Sequence, residues 1–85
     1  MRYFFHLKHL TELIPDVEGI EFATHEDARR EAVLSLRERA SESLLQETDF
    51  SLQSIRICER NGNLLDEVFA LDVLRDVFCP ASASN

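Results

Sequence analysis

The sequence contains three histidines, and their spacing decides whether they could bind a metal ion. His6 and His9 are three positions apart, so in an extended strand they point to opposite faces. His25 has no second histidine four positions further along, the spacing that places two ligands on one face of a helix. We therefore predict no metal site, and we expect His25 to be a solvated surface residue.

Five acidic side chains after the first apolar segment raise the question of a calcium site. Oxygen ligands clustered in a loop are typical of such sites. An EF-hand loop places Asp or Asn at alternating positions before a glycine and ends on a glutamate. This segment lacks that order, and we interpret it as a turn followed by the negatively charged start of a helix. Its acidic members are Asp16, Glu18, Glu21, Glu26 and Asp27.

The few glycines and cysteines exclude several classes of enzyme. Two glycines, far apart in the chain, cannot form a phosphate loop or a nucleophile elbow. Cys58 and Cys79 lack the close spacing of a zinc or redox pair, so we expect reduced thiols. We predict no catalytic residue and no cofactor. A catalytic carboxylate pair leaves no sequence signature, and a short chain forms the desolvated cleft it needs most readily between two copies.

The charge of the chain argues against two classes of partner. Nine Lys and Arg against sixteen Asp and Glu give a net charge of -7, which repels nucleic-acid backbones and anionic lipid. No apolar stretch approaches the roughly 18 residues of a membrane span, and the run after Arg2 is too short for a secretory signal. We therefore expect a cytoplasmic protein that binds neither nucleic acid nor membrane.

The spacing of apolar residues predicts the order of the elements. Alternation predicts strands at 2–8, 54–59 and 64–70, and a short strand at 13–14 that resumes at 20–22. A long helix begins after its cap Thr24 and ends near Glu47, and a short helix spans 71–78. Asn61-Gly62 predicts a type I′ hairpin turn.

These elements predict an α+β fold of order ββαββ with a short C-terminal helix. One long helix covers one face of a four-stranded, mostly antiparallel sheet, since this arrangement buries every apolar stripe. Residues 1–79 form the single domain and residues 80–85 a flexible tail.

One charged side chain falls inside the apolar stripe of the long helix. At about 100° per residue, Arg29 lies within this stripe, whose members are Ala28, Ala32, Val33, Leu36, Ala40 and Leu44. Because a charge near a core needs a partner, we hypothesise that Arg29 pairs with Asp16 or Glu18 of the preceding turn. The alternative is a guanidinium that reaches solvent along its apolar stem.

Leu34 and Leu45 fall on the opposite face of this helix and form a candidate interaction face. Single exposed leucines are ordinary. They become a contact site when sheet residues or a second copy of the helix joins them, which would make the chain a homodimer.

Several segments together resemble a family of short bacterial proteins of unknown function. They are the opening RYFFH, the Asp16-x-x-Gly19 turn, the Ala28-Arg29-x-Glu31-Ala32 helix start and the late hairpin ending in Val68 and Phe69. The resemblance covers residues 2–70 and implies an origin in rhizobia or related alphaproteobacteria, with no activity to carry over.

The function expected first is a non-enzymatic protein-interaction or accessory domain, with an unidentified protein or a second copy as partner. A small ligand-binding or enzymatic domain with a site at a dimer interface is the alternative. A pocket lined by His6, Arg56 or Cys58 would favour that alternative. A nucleic-acid-binding regulator is the third hypothesis, and it is disfavoured because glutamates interleave with the arginines of the helix.

Overall fold

The chain alternates short strands with one long helix and ends on a second helix. The computed structural model describes residues 1–47 and 49–78. Its elements, in chain order, are β1 (Arg2–His9), β2 (Leu13–Ile14), β3 (Ile20–Glu21), α1 (His25–Gln46), β4 (Leu52–Cys58), β5 (Leu64–Phe69) and α2 (Ala70–Phe78). Cys79 and the predicted tail, residues 80–85, lie outside the described residues.

The sheet has the strand order β2-β1-β4-β5, and every pair in it is antiparallel. β3 also pairs with β1, at the opposite end of β1 from β2. The predicted second strand is therefore two short segments on one edge of β1. The segments are separate because Pro15 has no backbone N–H to continue the ladder and the Asp16 to Gly19 turn follows it.

Alternation along the central strands assigns one face of the sheet to the core. Ile55 and Ile57 of β4 and Val68 of β5 are fully buried beneath α1. Phe5 and Leu7 of β1 lie opposite Ile57 and Ile55. The other face, which we call the open face, carries the alternate residues, among them His6, Arg56 and Glu67 in one row across three strands.

α1 begins and ends at residues that satisfy its terminal backbone groups. Thr24 has extended backbone angles, and its hydroxyl accepts the N–H of Asp27 at 3.1 Å. Glu47 adopts a left-handed conformation, with φ of 56°, and returns its N–H to the carbonyls of Leu44 and Ser43. The bounds predicted for this helix are thus confirmed.

The apolar stripe of α1 covers the sheet over most of its length. Ala28, Ala32, Leu36 and Ala40 are buried, and the three alanines let the helix backbone approach the strands closely. Leu44 was expected in this stripe and is instead 63% exposed. Ala40 is the last buried residue of the stripe, so the covered part of α1 ends about one turn before Leu44.

The β4–β5 hairpin forms where Asn61-Gly62 predicts it, with a different turn. Gly62 has a positive φ of 92°, whereas the φ of Asn61 is not positive. The N–H of Gly62 donates to the carbonyl of Glu59 at 2.9 Å. This is a turn through Arg60 and Asn61 followed by a left-handed glycine, a three-residue loop, and the register shift between Ile57 and Cys58 accompanies it. The predicted type I′ turn is therefore wrong. The α+β fold and the order of its elements, both predicted from the sequence, are confirmed.

Candidate protein-binding surface

A large apolar groove lies at the end of the sheet where α2 begins. Its volume is about 810 Å³, which is in the range of pockets that bind ligands or partner side chains. Three segments distant in sequence line it: the end of β1 with Leu10, the approach to β4 from Phe50, and the junction of β5 with α2. We call this feature the end groove.

The amphipathic pattern of α2 explains why this groove stays apolar. Ala70, Val73 and Leu74 turn inward and join the core. Leu71 lies on the other side of the same turn and is 84% exposed. Since α2 begins directly after Phe69 of β5, the exposed Phe69 and Leu71 form one wall of the end groove. The short helix thus contributes apolar surface to both the core and the groove.

The charges around the end groove are opposite in sign to the charge of the chain. Among the described residues that line it, the ionic side chains are Lys8 and Arg75, although the chain carries a net charge of -7. Arg75 is only loosely tied to Asp72, at 3.5 Å between exposed groups. An apolar groove with a basic rim suits an apolar segment that carries acidic residues.

The residues proposed as an ion pair each have another partner in the structure. Arg29 Nη1 donates to the carboxylate of Asp66 at 2.9 Å. Asp16 accepts backbone N–H groups of Phe5 at 3.1 Å, Glu18 at 3.2 Å and Gly19 at 3.1 Å. The Asp16–Arg29 hypothesis is corrected accordingly: Asp66 lies on β5 beneath α1, and only the strand order brings it within reach of Arg29.

Asp66 is shared by two basic side chains of α1. His25 Nε2 lies 3.2 Å from the same carboxylate oxygen that Arg29 binds. Partial burial raises the pKa of Asp66, but the N–H of Glu67 and the side chains of His25 and Arg29 outweigh it, so the pKa is lowered. This cluster ties the first turn of α1 to β5. The cluster contains no nucleophile. His25 is exposed and also takes part in this link.

The two leucines of the candidate interaction face are both exposed. Leu34 is 46% exposed and Leu45 is 85% exposed. They are eleven positions apart on α1, about 16 Å along the helix axis. Leu44 and Leu45, in contrast, are adjacent at the end of the helix, between Glu42 and Glu47. Whether Leu34 and Leu45 form a contact site stays a prediction.

The open face carries a buried polar atom without a partner. Nε of Arg56 is inaccessible to solvent and has no hydrogen-bond partner among the described residues. Its neighbour Glu67 instead accepts the hydroxyl of Ser54 at 2.6 Å. Burial raises the pKa of the Cys58 thiol, against the nearby charge of Arg56 and reinforced by Glu67. Cys58 is a free, buried thiol and thus a poor nucleophile.

Two other features are absent from the part of the chain that the structure describes. Residues 1–47 and 49–78 contain no group of three or more His, Cys, Asp or Glu side chains arranged to hold a metal ion. Within the same ranges, neither helix is long and apolar enough to cross a bilayer.

The end groove is the candidate functional feature that the sequence did not predict. Leu10 and Phe50 lie in segments interpreted as loops, and single apolar residues there carry no periodic signal. Leu71 was placed in the C-terminal helix by its spacing, but its exposure follows from where α2 joins β5. The sequence does contain one signal for the groove, which is that bulky apolar residues cluster at the ends of the predicted elements.

Comparison with known proteins identifies a family and no activity. A family model described as domain of unknown function, DUF6894, matches residues 2–72, which is most of the 85-residue chain. This agrees with the resemblance to an uncharacterised family. No curated protein and no solved structure matches the chain. The chain therefore belongs to the DUF6894 family, whose domain is of unknown function.

Proposed function

We propose that this protein is a non-enzymatic interaction domain of the bacterial cytoplasm that binds an apolar, acidic segment of a protein partner in the end groove. The observation that carries the proposal is the groove itself, about 810 Å³ in volume and walled by exposed Phe69 and Leu71. Apolar surface of this kind on a small domain is typical of a contact site. The resemblance noted above supports the bacterial origin.

The chemistry of the lining favours binding over catalysis. Its described members include no His, Cys, Asp or Glu, so the lining offers Ser51 none of the side chains that most often activate a serine as general base. The alternative of a ligand-binding or enzymatic site on the open face has less support, since His6, Arg56 and Cys58 do not line this groove. A nucleic-acid partner is disfavoured by the net charge of -7.

A site-specific photo-crosslinker tests the proposal in living bacteria. A benzophenone amino acid replaces Leu71 in one strain and Arg37, an exposed residue of α1, in the control strain. We expect irradiation to give a discrete crosslinked protein band from position 71 and none from position 37. Adding Leu10→Asp at the rim should remove the band, because a carboxylate there repels the acidic residues of the partner and removes an apolar contact. Equal bands from both positions, or a band that survives Leu10→Asp, would refute the proposal.

A further inference from the structure

We infer that the partner in the end groove is a second copy of this chain, which inserts the last turn of its α1. This inference rests on the proposed function and names the occupant of that same groove. Two copies related by a two-fold axis would each give a helix end and receive one, so the contact occurs twice.

The last turn of α1 is apolar, accessible and ordered by its cap. Leu44 and Leu45 are 63% and 85% exposed. The helix cap at Glu47 holds this turn in shape through its N–H bonds to Leu44 and Ser43. Little backbone conformational entropy is therefore lost when these two leucines become buried. The pair offers a compact apolar knob of a size that a groove of about 810 Å³ accommodates.

The charges of the two surfaces are complementary. Glu42 and Glu47 flank the leucines, and the last turn of α1 contains no basic residue. A helix C-terminus also carries the negative end of the helix dipole. The end groove presents Lys8 and Arg75. An acidic helix end therefore meets a basic rim, whereas a groove paired with another groove would bring like charges together.

The position of the two surfaces allows a reciprocal contact. Leu45 and Phe50, which lines the end groove, are five residues apart, so their Cα atoms are at most about 18 Å from each other. The last turn of α1 and the Phe50 side of the end groove are thus neighbours across the α1–β4 connection. Two copies that meet there about a two-fold axis can exchange their helix ends, and the interface then closes on itself and does not propagate into a fibre.

Sedimentation equilibrium of the full chain and of matched variants tests the inference. We expect the wild type to form a dimer. The double variant Leu44→Ser, Leu45→Ser and the groove variant Leu71→Ser should each raise the dimer Kd by about tenfold or more, because each contact occurs twice. Leu34→Ser and Val17→Ser remove exposed apolar side chains elsewhere and should leave the Kd unchanged.

Mixing the variants distinguishes this contact from a symmetric one. The groove of the double variant is intact, and so is the helix end of Leu71→Ser. Their mixture should therefore dimerise more tightly than either variant alone, through one restored contact. A mixture no tighter than its components would overturn the inference, and so would a dimer that Leu34→Ser or Val17→Ser disrupts.

A labelled peptide of residues 40–47 separates the two proposals. If the wild type is monomeric, the inference fails. Binding of this peptide to the wild-type chain, lost in Leu71→Ser, would then still support a groove for apolar, acidic segments. A monomer that neither binds the peptide nor crosslinks at position 71 would remove both the partner and the proposed function.

Discussion

Asp16 and His6 are joined through a backbone donor and a ring nitrogen. The N–H of Asp16 donates to Nδ1 of His6 at 2.9 Å, so the imidazole accepts at Nδ1. The Asp16 carboxylate reaches back to the N–H of Phe5, one residue before His6, at 3.1 Å. The two bonds fasten the Asp16 to Gly19 turn to the edge of β1.

The His6 acceptor can be tested with a pair of substitutions. His6→Ala removes the acceptor and leaves the N–H of Asp16 unpaired, which should lower the free energy of unfolding by about 1 kcal/mol. His6→Asn places a carbonyl oxygen near the position of Nδ1 and should retain most of that stability. Urea denaturation of both variants measures the difference. Equal losses in the two would show that the hydrogen bond contributes nothing.

The Asp16 carboxylate should make the stability of the protein dependent on acid pH. Partial burial raises its pKa, but hydrogen bonds from the N–H groups of Gly19, Phe5 and Glu18 outweigh it and lower the pKa. The ordinary value in an unfolded chain is about 3.9. The stabilisation is therefore complete above that pH and is lost as the pH falls through the lower value of the folded state.

The variant Asp16→Asn isolates this contribution from that of the other carboxylates. We expect it to be less stable than the wild type by about 1 to 2 kcal/mol at neutral pH. The difference should shrink as the pH falls from about 4, the pKa of the unfolded chain, through the lower pKa of the folded carboxyl. Denaturation curves at a series of pH values provide the measurement. A difference that stays constant across the acid range would contradict the assignment.

The two glycines provide a matched comparison of backbone strain and steric clash. Gly19 has φ of 74°, and a Cβ there would lie 2.8 Å from Arg2 Cγ, 2.9 Å from Phe4 Cε2 and 3.0 Å from the carbonyl oxygen of Tyr3. Gly62 has φ of 92° with no atom within 4 Å of such a Cβ. Gly62→Ala should cost about 1 kcal/mol from the left-handed backbone alone. Gly19→Ala should cost about 3 kcal/mol, because the clash adds to that strain.

Thermal unfolding monitored by circular dichroism compares the two glycine variants. The spectra of both folded variants should match the wild type, since neither glycine lies within a helix or strand. A Gly62→Ala variant as destabilised as Gly19→Ala would mean that the clash at Gly19 is relieved by small shifts of Arg2 and Phe4.

The sequence predicts the elements well because their signals are local. Thr24 and the spacing of Ala28, Ala32 and Leu36 define α1 without reference to the rest of the chain. Leu44 has the same spacing and is exposed, since periodicity does not reveal where the sheet stops. The partner of Arg29 and the end groove depend on strand order, and residues such as Asp66 become neighbours only through that order. Local patterns thus predict the helices and strands, whereas the candidate site forms from segments that are distant in the sequence.

The Arg29–Asp66 ion pair should contribute a small and measurable coupling. Arg29 is half exposed and its Nη1 lies 2.9 Å from the Asp66 carboxylate, a geometry for which about 0.5 kcal/mol is typical. We expect a double-mutant cycle of Arg29→Ala with Asp66→Asn to give this coupling energy. The same cycle with Asp16→Asn should give none. Coupling to Asp16 and not to Asp66 would restore the pair suggested by the sequence.

Replacement of Arg56 by an apolar side chain should stabilise the isolated protein. Its Nε is buried and without a partner among the described residues, so the folded state bears the cost of removing this group from water. Methionine has a similar length and no polar N–H. Arg56→Met should therefore raise the free energy of unfolding by about 1 kcal/mol.

Arg37→Met is the matched control for this substitution. It changes the net charge equally, and Arg37 is exposed on α1, so urea denaturation should show little change. A loss of stability in Arg56→Met beyond that of Arg37→Met would mean that the guanidinium stabilises the open face, through His6 or Glu67 in the same row. A gain specific to Arg56→Met would instead show that the buried Nε lowers the stability of the folded state.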